Sequence, residues 1–243
     1  MNGELFPNFI AGSWVTNSDA KANINPSNLN DTIGHYAQAS SAQTNEAIEC
    51  AATAFPKWRD TSPLVRFEAL DKIGSEILTR VDELGDMLSR EEGKTLSEAT
   101  AEAHRAGHLF KYFAAEAYRA TGEMYQSLRE GVSLNVLREP IGVIGVITPW
   151  NFPQAIPAWK IAPALAYGNT VVFKPAELVP GSAWLLSDII ARAGLPEGVF
   201  NLVMGTGAEV GEAIVSHPKV SGVTFTGSTP VGRKIGASLF ARG

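Results

Sequence analysis

A single cysteine, Cys50, occurs in 243 residues. This excludes an internal disulfide framework and a zinc site built from cysteines, and it fits a reducing compartment. Basic residues are in no excess: 20 Lys plus Arg stand against 25 Asp plus Glu, a formal net charge of −5. With no long basic run either, the chain is a poor binder of nucleic acid or of an anionic membrane. No uninterrupted apolar stretch reaches the roughly 18 residues of a spanning helix. The longest candidate, Ile141 to Trp150, has the length of a strand and is punctuated by glycine. The opening Met1-Asn2-Gly3-Glu4-Leu5 lacks the basic and apolar regions of a secretory signal, so the chain reads as cytosolic. The phosphate-cradling pattern G-x-x-x-x-G-K-[ST] is missing. His104 and His108 lie four apart on one helix face, but no Glu follows His104 and no third ligand is evident, so no metal site is expected.

What is present is ordinary for a globular protein, with 45% hydrophobic and 19% charged residues. The length suits one large domain or two small ones. Residues 1–40 alternate short apolar pieces with Asn, Ser, Pro and Gly. Phe9 to Val15 predicts a strand pair turning at Gly12, and Asn25 through Gly34 predicts a turn region. Helices follow. Ser41 or Thr44 is placed to cap one that runs to about Phe55. Ser62-Pro63 opens a second, with Val65, Ala69, Ile73 and Ile77 on its apolar face. A third spans about 82–92 and stops near Gly93. A fourth spans about 97–120 and stops at Gly122, where glycine takes the left-handed conformation at little cost. Between 123 and 138 the pattern is strand, turn, strand, a ribbon that needs a partner sheet.

From residue 141 strands and helices alternate. Gly142 to Ile147 is a near-continuous apolar strand, as in a parallel sheet covered on both faces. A helix (about 153–167), a strand (170–174), a helix (about 181–193), a strand (200–203), a helix (208–215), a strand (223–225) and a last helix (about 229–240) follow. The series predicts an α/β fold with an open, wound parallel sheet. Ligands of such sheets bind outside the carboxyl ends of the strands. Those ends read Thr148-Pro149-Trp150-Asn151-Phe152-Pro153, then Lys174-Pro175-Ala176-Glu177, then Gly205-Thr206-Gly207-Ala208-Glu209-Val210-Gly211, then Phe225-Thr226-Gly227-Ser228-Thr229-Pro230-Val231-Gly232.

Four strand ends of this type, order and spacing resemble the aldehyde dehydrogenase superfamily, over essentially the whole chain. The segment Trp159-Lys160-Ile161-Ala162-Pro163-Ala164-Leu165 resembles that family's first crossover helix. The resemblance implies a Rossmann-like NAD(P)-binding sheet, an N-terminal helical portion within 1–122, a protruding oligomerisation ribbon at 123–138 and βαβ units from 139 to 243. It implies oxidation of an aldehyde through a cysteine thiohemiacetal and hydride transfer to nicotinamide. It assigns Asn151 as an oxyanion donor and Lys160 as a charge relay. The cofactor contacts it implies are Ile147, Thr148, Pro149, Trp150, Lys174, Pro175, Ala176, Glu177, Gly207, Ala208, Gly211, Phe225, Thr226, Gly227, Ser228 and Val231. NAD is expected over NADP, because a carboxylate at Glu177 accepts from a free 2′-hydroxyl and repels a 2′-phosphate.

Each residue also has a plainer explanation. Asn151 is a turn residue ahead of Pro153. Lys160 is a solvated or ion-paired helix lysine. Lys174 and Glu177 form an exposed pair. Gly205-x-Gly207-x-x-x-Gly211 departs from G-x-G-x-x-G and is simply a turn. Ser228 or Thr229 is an N-cap. In the family, a Glu-Leu-Gly-Gly stretch with the general base, and then the nucleophilic cysteine, follow the point where this sequence stops. The expectation is therefore a cofactor-binding portion that is inactive alone, within an enzyme acting on a semialdehyde related to 2-oxoglutarate semialdehyde. The competing reading is a non-catalytic dinucleotide-binding or assembly module. A short-chain dehydrogenase is disfavoured, since none of the five tyrosines has Lys four residues later. Association of copies, through the ribbon or by strand exchange, is expected.

Overall fold

The computed structural model describes residues 5–16, 19–119 and 122–242. Six strands form the main sheet. In chain order they are β2 (Asn8–Ile10), β3 (Ser13–Val15), β8 (Val143–Ile147), β9 (Thr170–Lys174), β10 (Phe200–Leu202) and β11 (Val220–Phe225). Across the sheet they run β11-β8-β9-β10-β2-β3. The first four in that order are parallel; β2 and β3 are antiparallel additions at the far edge. Two asparagines join the additions to the parallel part. The Asn8 Oδ1 atom accepts from Met204 N (2.7 Å), and Asn201 Oδ1 accepts from Ala11 N (3.0 Å). The expected turn at Gly12 is present, with positive φ at Ala11 and Gly12.

Every residue of β8 and β9 is buried, because both faces carry helices. Successive side chains point to opposite faces, so one strand feeds two cores. Ile144, Val146, Val171 and Phe173 belong to the larger core, with α5 (Ala155–Ala166) and α6 (Pro180–Ala191). Val143, Ile147, Val172 and Val203 belong to the smaller, with α1 (Ser41–Arg59) and α7 (Glu212–Ser216). Gly145 lies on the smaller-core face. A Cβ there would run into Ile214 of α7, so glycine lets that helix sit close to β8. After β10 the chain crosses back to place β11 on the other side of β8. This makes β8 the point where strand order reverses.

The helical portion is α1, α2 (Pro63–Thr79), α3 (Val81–Glu92) and α4 (Leu96–Tyr118). The cap of α1 is Ser40, neither Ser41 nor Thr44. Its hydroxyl accepts from Gln43 N (3.2 Å), and Gln43 Oε1 accepts from Ser40 N (3.1 Å), a closed capping box. The helix also runs past Phe55 and through Pro56 to Arg59, its last turn anchored by the fully buried Trp58. Ser62 and Pro63 open α2 as expected, but Val65 is exposed while Ala69, Ile73 and Ile77 are buried. Gly93 ends α3 with φ +85°. Gly122 does not end α4 and is not left-handed. Arg119 caps that helix, while Gly122 passes so near the Val136 carbonyl that a side chain would not fit; Ala120 and Thr121 lie outside the described residues.

Two further sheets complete the molecule. β5 (Thr32–Ala37) pairs with β1 (Leu5–Phe6) and with β4 (Ala20–Ile24). The turn expected through Gly34 thus closes at Asp31, and Thr32 to Gly34 already belong to a strand. The ribbon forms as expected from β6 (Glu123–Gln126) and β7 (Ser133–Val136), exposed along both strands. Among the described residues no helix is long and apolar enough to cross a membrane.

Candidate functional site

Register decides what meets at the carboxyl ends. Ile147 sits between Lys174 of β9 and Phe225 of β11, level across three strands. Beside them, the loops after β8, β9 and β10 and the face of α8 (Thr229–Ala241) enclose a cleft of about 440 Å³. Of the residues singled out from the sequence, Ile147, Thr148, Lys174, Ala176, Glu177, Gly207, Gly211 and Val231 line it. It also takes in Lys21, Leu178, Glu212, Val215, Lys234, Ile235 and Ser238, which sequence reasoning missed. Val231, Ile235 and Ser238 follow helical spacing, a signal that was readable.

The chemistry of the walls is specific. Lys174 is buried, and burial pulls its ammonium down to about 8 against the opposing pull of Glu177. Its Nζ donates to the Pro175 carbonyl (2.9 Å) rather than to Glu177, so the two are not an exposed ion pair. The Glu177 carboxylate instead accepts from Gly207 N (3.0 Å), which ties the β9 loop to the next strand end. Gly207 to Gly211 is a single π-helical turn preceding α7, in which Gly211 N bonds Thr206 O (3.3 Å), five residues back. A Cβ at Gly207 would enter open space, and one at Gly211 would come 3.9 Å from Lys174 Cδ. Thr148 Oγ1 is buried with no hydrogen-bond partner. Lys234 and Glu212 form an ion pair (2.7 Å) between α8 and α7.

Other candidates lie off this wall. Pro149, Pro175, Ala208, Phe225, Thr226, Gly227 and Ser228 are not among its lining residues, and the Phe225 ring packs against Gly227 and Gly232. Ser228 holds the N-cap position of α8 but makes no capping hydrogen bond. Trp150 and Asn151 face a separate hollow with Lys94, Glu102 and Phe152. The loop carrying Asn151 is firmly held. Glu102 is buried and accepts from Gln154 N (2.9 Å) and Ala155 N (3.1 Å), and its other oxygen meets Lys94 Nζ (2.7 Å). Lys94 in turn donates to the Asn151 carbonyl (3.0 Å) and lies 4.3 Å from the Phe152 ring centroid. Lys160 is neither ion-paired nor free in solvent. It donates to Thr224 Oγ1 (2.9 Å), and burial lowers its pKa.

A wound α/β sheet with a cleft at its reversal point is the architecture of a nucleotide-binding enzyme domain. The chain belongs to the aldehyde dehydrogenase family, whose model matches residues 14–242. It is 41% identical over 238 residues to the alpha-ketoglutaric semialdehyde dehydrogenase of Bacillus subtilis, covering 97% of this chain and 49% of that protein. The fold matches that of an E. coli NADP-dependent enzyme with a TM-score of 0.94 at 36% identity, over 97% of this chain and 49% of that one. It matches betaine aldehyde dehydrogenase from Staphylococcus aureus, solved with NAD+, with a TM-score of 0.93 at 32% identity, over 97% and 48% of the two chains. The chain thus spans about half the length of these relatives.

Proposed function

We propose that the cleft holds the adenosine half of a nicotinamide dinucleotide, in an enzyme that oxidises a semialdehyde related to 2-oxoglutarate semialdehyde. The observation that carries the reading is the join between two strand ends: Glu177 bound to Gly207 N, with the desolvated Lys174 at its side. The residues fit the group. Thr148 offers an unpartnered hydroxyl, and glycine at 207 and 211 keeps those two positions of the wall free of side chains. Lys174 and Glu177 are placed to hold the ribose hydroxyls. Glu177 favours NAD over NADP, since its charge opposes a 2′-phosphate. When bound, the nicotinamide supplies a hydride acceptor.

Asn151 is proposed as the amide donor to the substrate oxyanion, on a loop whose position Glu102 and Lys94 fix. Preorganised donors of this kind are worth roughly 10²–10³ in rate. The reaction also needs a thiolate. Cys50 does not supply one: it lies on α1 and is not among the residues lining the cleft, and burial with the carboxylates of Glu46 and Glu197 pushes its thiol above the usual value. The 243 residues therefore bind cofactor without turning over aldehyde. Fluorescence titration with NADH tests this: saturable binding is expected, and a flat titration overturns it. Glu177→Gln is expected to narrow the preference for NADH over NADPH by several-fold. Aldehyde-dependent NADH formation by the purified chain would refute the assignment of Cys50 as inert.

A further inference from the structure

Three lysines line the cleft, and they are not equivalent. Lys174 is buried, donates to the Pro175 carbonyl and is already assigned to the ribose hydroxyls. Lys234 is neutralised by Glu212. Lys21, on β4, makes no side-chain hydrogen bond or ion pair among the described residues. It reaches the cleft from outside the βαβ units, through the pairing of Lys21 with Tyr36 in the β4–β5 hairpin. It borders both the main cleft and the adjoining hollow, and in each Glu177 and Leu178 are its neighbours. Of the other carboxylates bordering these hollows, Glu212 is paired with Lys234, Glu92 with Lys94, and Glu91 is engaged by backbone N–H groups, so Lys21 brings an uncommitted ammonium to the wall that carries Glu177.

We infer that Lys21 is a specificity-determining residue, which offers the cleft a counter-charge for a 2′-phosphate on the adenosine ribose. This rests on the cofactor reading above and refines it. Glu177 opposes the 2′-phosphate and Lys21 attracts it, so the preference for the unphosphorylated nucleotide is set by the balance of two side chains from distant parts of the chain. The arrangement is chemically sensible because Glu177 is already engaged by Gly207 N, while Lys21 is free to follow its ligand. Its flexible stem and three donors suit a phosphate met as a point charge.

The test is calorimetric titration of the full 243-residue chain with 5′-AMP and with 2′,5′-ADP, which differ only in the 2′-phosphate. For the wild type, both bind. In Lys21→Met the affinity ratio of 2′,5′-ADP to 5′-AMP falls about tenfold, the scale of one charge-assisted contact, and Lys21→Arg restores it. A ratio unchanged within about twofold in Lys21→Met overturns the proposal, as does wild-type binding of 5′-AMP without any binding of 2′,5′-ADP. Failure of the wild type to bind 5′-AMP overturns the cofactor reading itself, and this assignment with it. Lys21 is exposed on its strand, so unchanged thermal unfolding of the variants certifies that the comparison is between folded proteins.

Discussion

Glu91 is the most deeply buried ionisable group in its region, and its partners include no cation. The carboxylate accepts from Gly181 N (2.6 Å), Ser182 N (2.7 Å) and Asn23 Nδ2, so it joins the first turn of α6 to α3 and β4. Burial raises its pKa from 4.5 to about 7, against hydrogen bonds from Ser182, Gly181 and Asn23 that favour the charged form. A carboxyl whose folded pKa is raised adds stability that is complete below its unfolded value. That stability is lost as pH rises through the folded one. Between pH 5 and pH 8 the protein should therefore lose on the order of 2 kcal/mol from this group. Glu91→Gln cannot ionise, so its melting temperature should fall less over the same interval. Parallel curves for the two proteins would show that Glu91 does not titrate there.

At the level of strands and helices, the close seat of α7 on β8 depends on Gly145. In Gly145→Ala the new methyl meets Ile214, and overpacking of this kind costs about 1–3 kcal/mol. Chemical denaturation should show that loss; an unchanged midpoint would mean that α7 shifts freely. The elements around this contact were readable in the sequence for a physical reason. Val143 to Ile147 and Thr170 to Lys174 are nearly unbroken apolar runs because both faces are covered, and glycines punctuate their ends. The hairpin of β4 and β5 gave no such signal. β4 alternates as Ala20-Lys21-Ala22-Asn23-Ile24, yet its buried residue is the polar Asn23 while both alanines and Ile24 are exposed, so its geometry comes from pairing with β5 and not from the side-chain pattern. For the same reason Lys174 and Glu177 could be placed at the cleft from their position after a strand, whereas Lys21 could not. Its place depends on a hairpin folded against a loop more than 150 residues away. The π-helical turn was equally hidden, since glycine at 207 and 211 is compatible with a plain loop.

On the scale of the whole molecule, the ribbon is the part least satisfied by its own chain. Met124, Tyr125, Leu134 and Val136 are all exposed on two strands that pair only with each other among the described residues, and an isolated pair is marginal in water. Copies should associate through it. Light scattering at micromolar concentration is expected to give a mass above the 25.9 kDa of one chain. The double substitution Met124→Glu and Leu134→Glu should return it to that value, and a wild-type monomer would end the idea. A different constraint acts at the cleft, where the turn at Gly207–Gly211 holds one residue more than regular coiling needs. Ile214 must face β8 while Glu212 and Val215 face the cleft. Removing one residue upstream would swing α7 by about 100°, so chain length at this bend is as tightly fixed as the identity of any side chain on it.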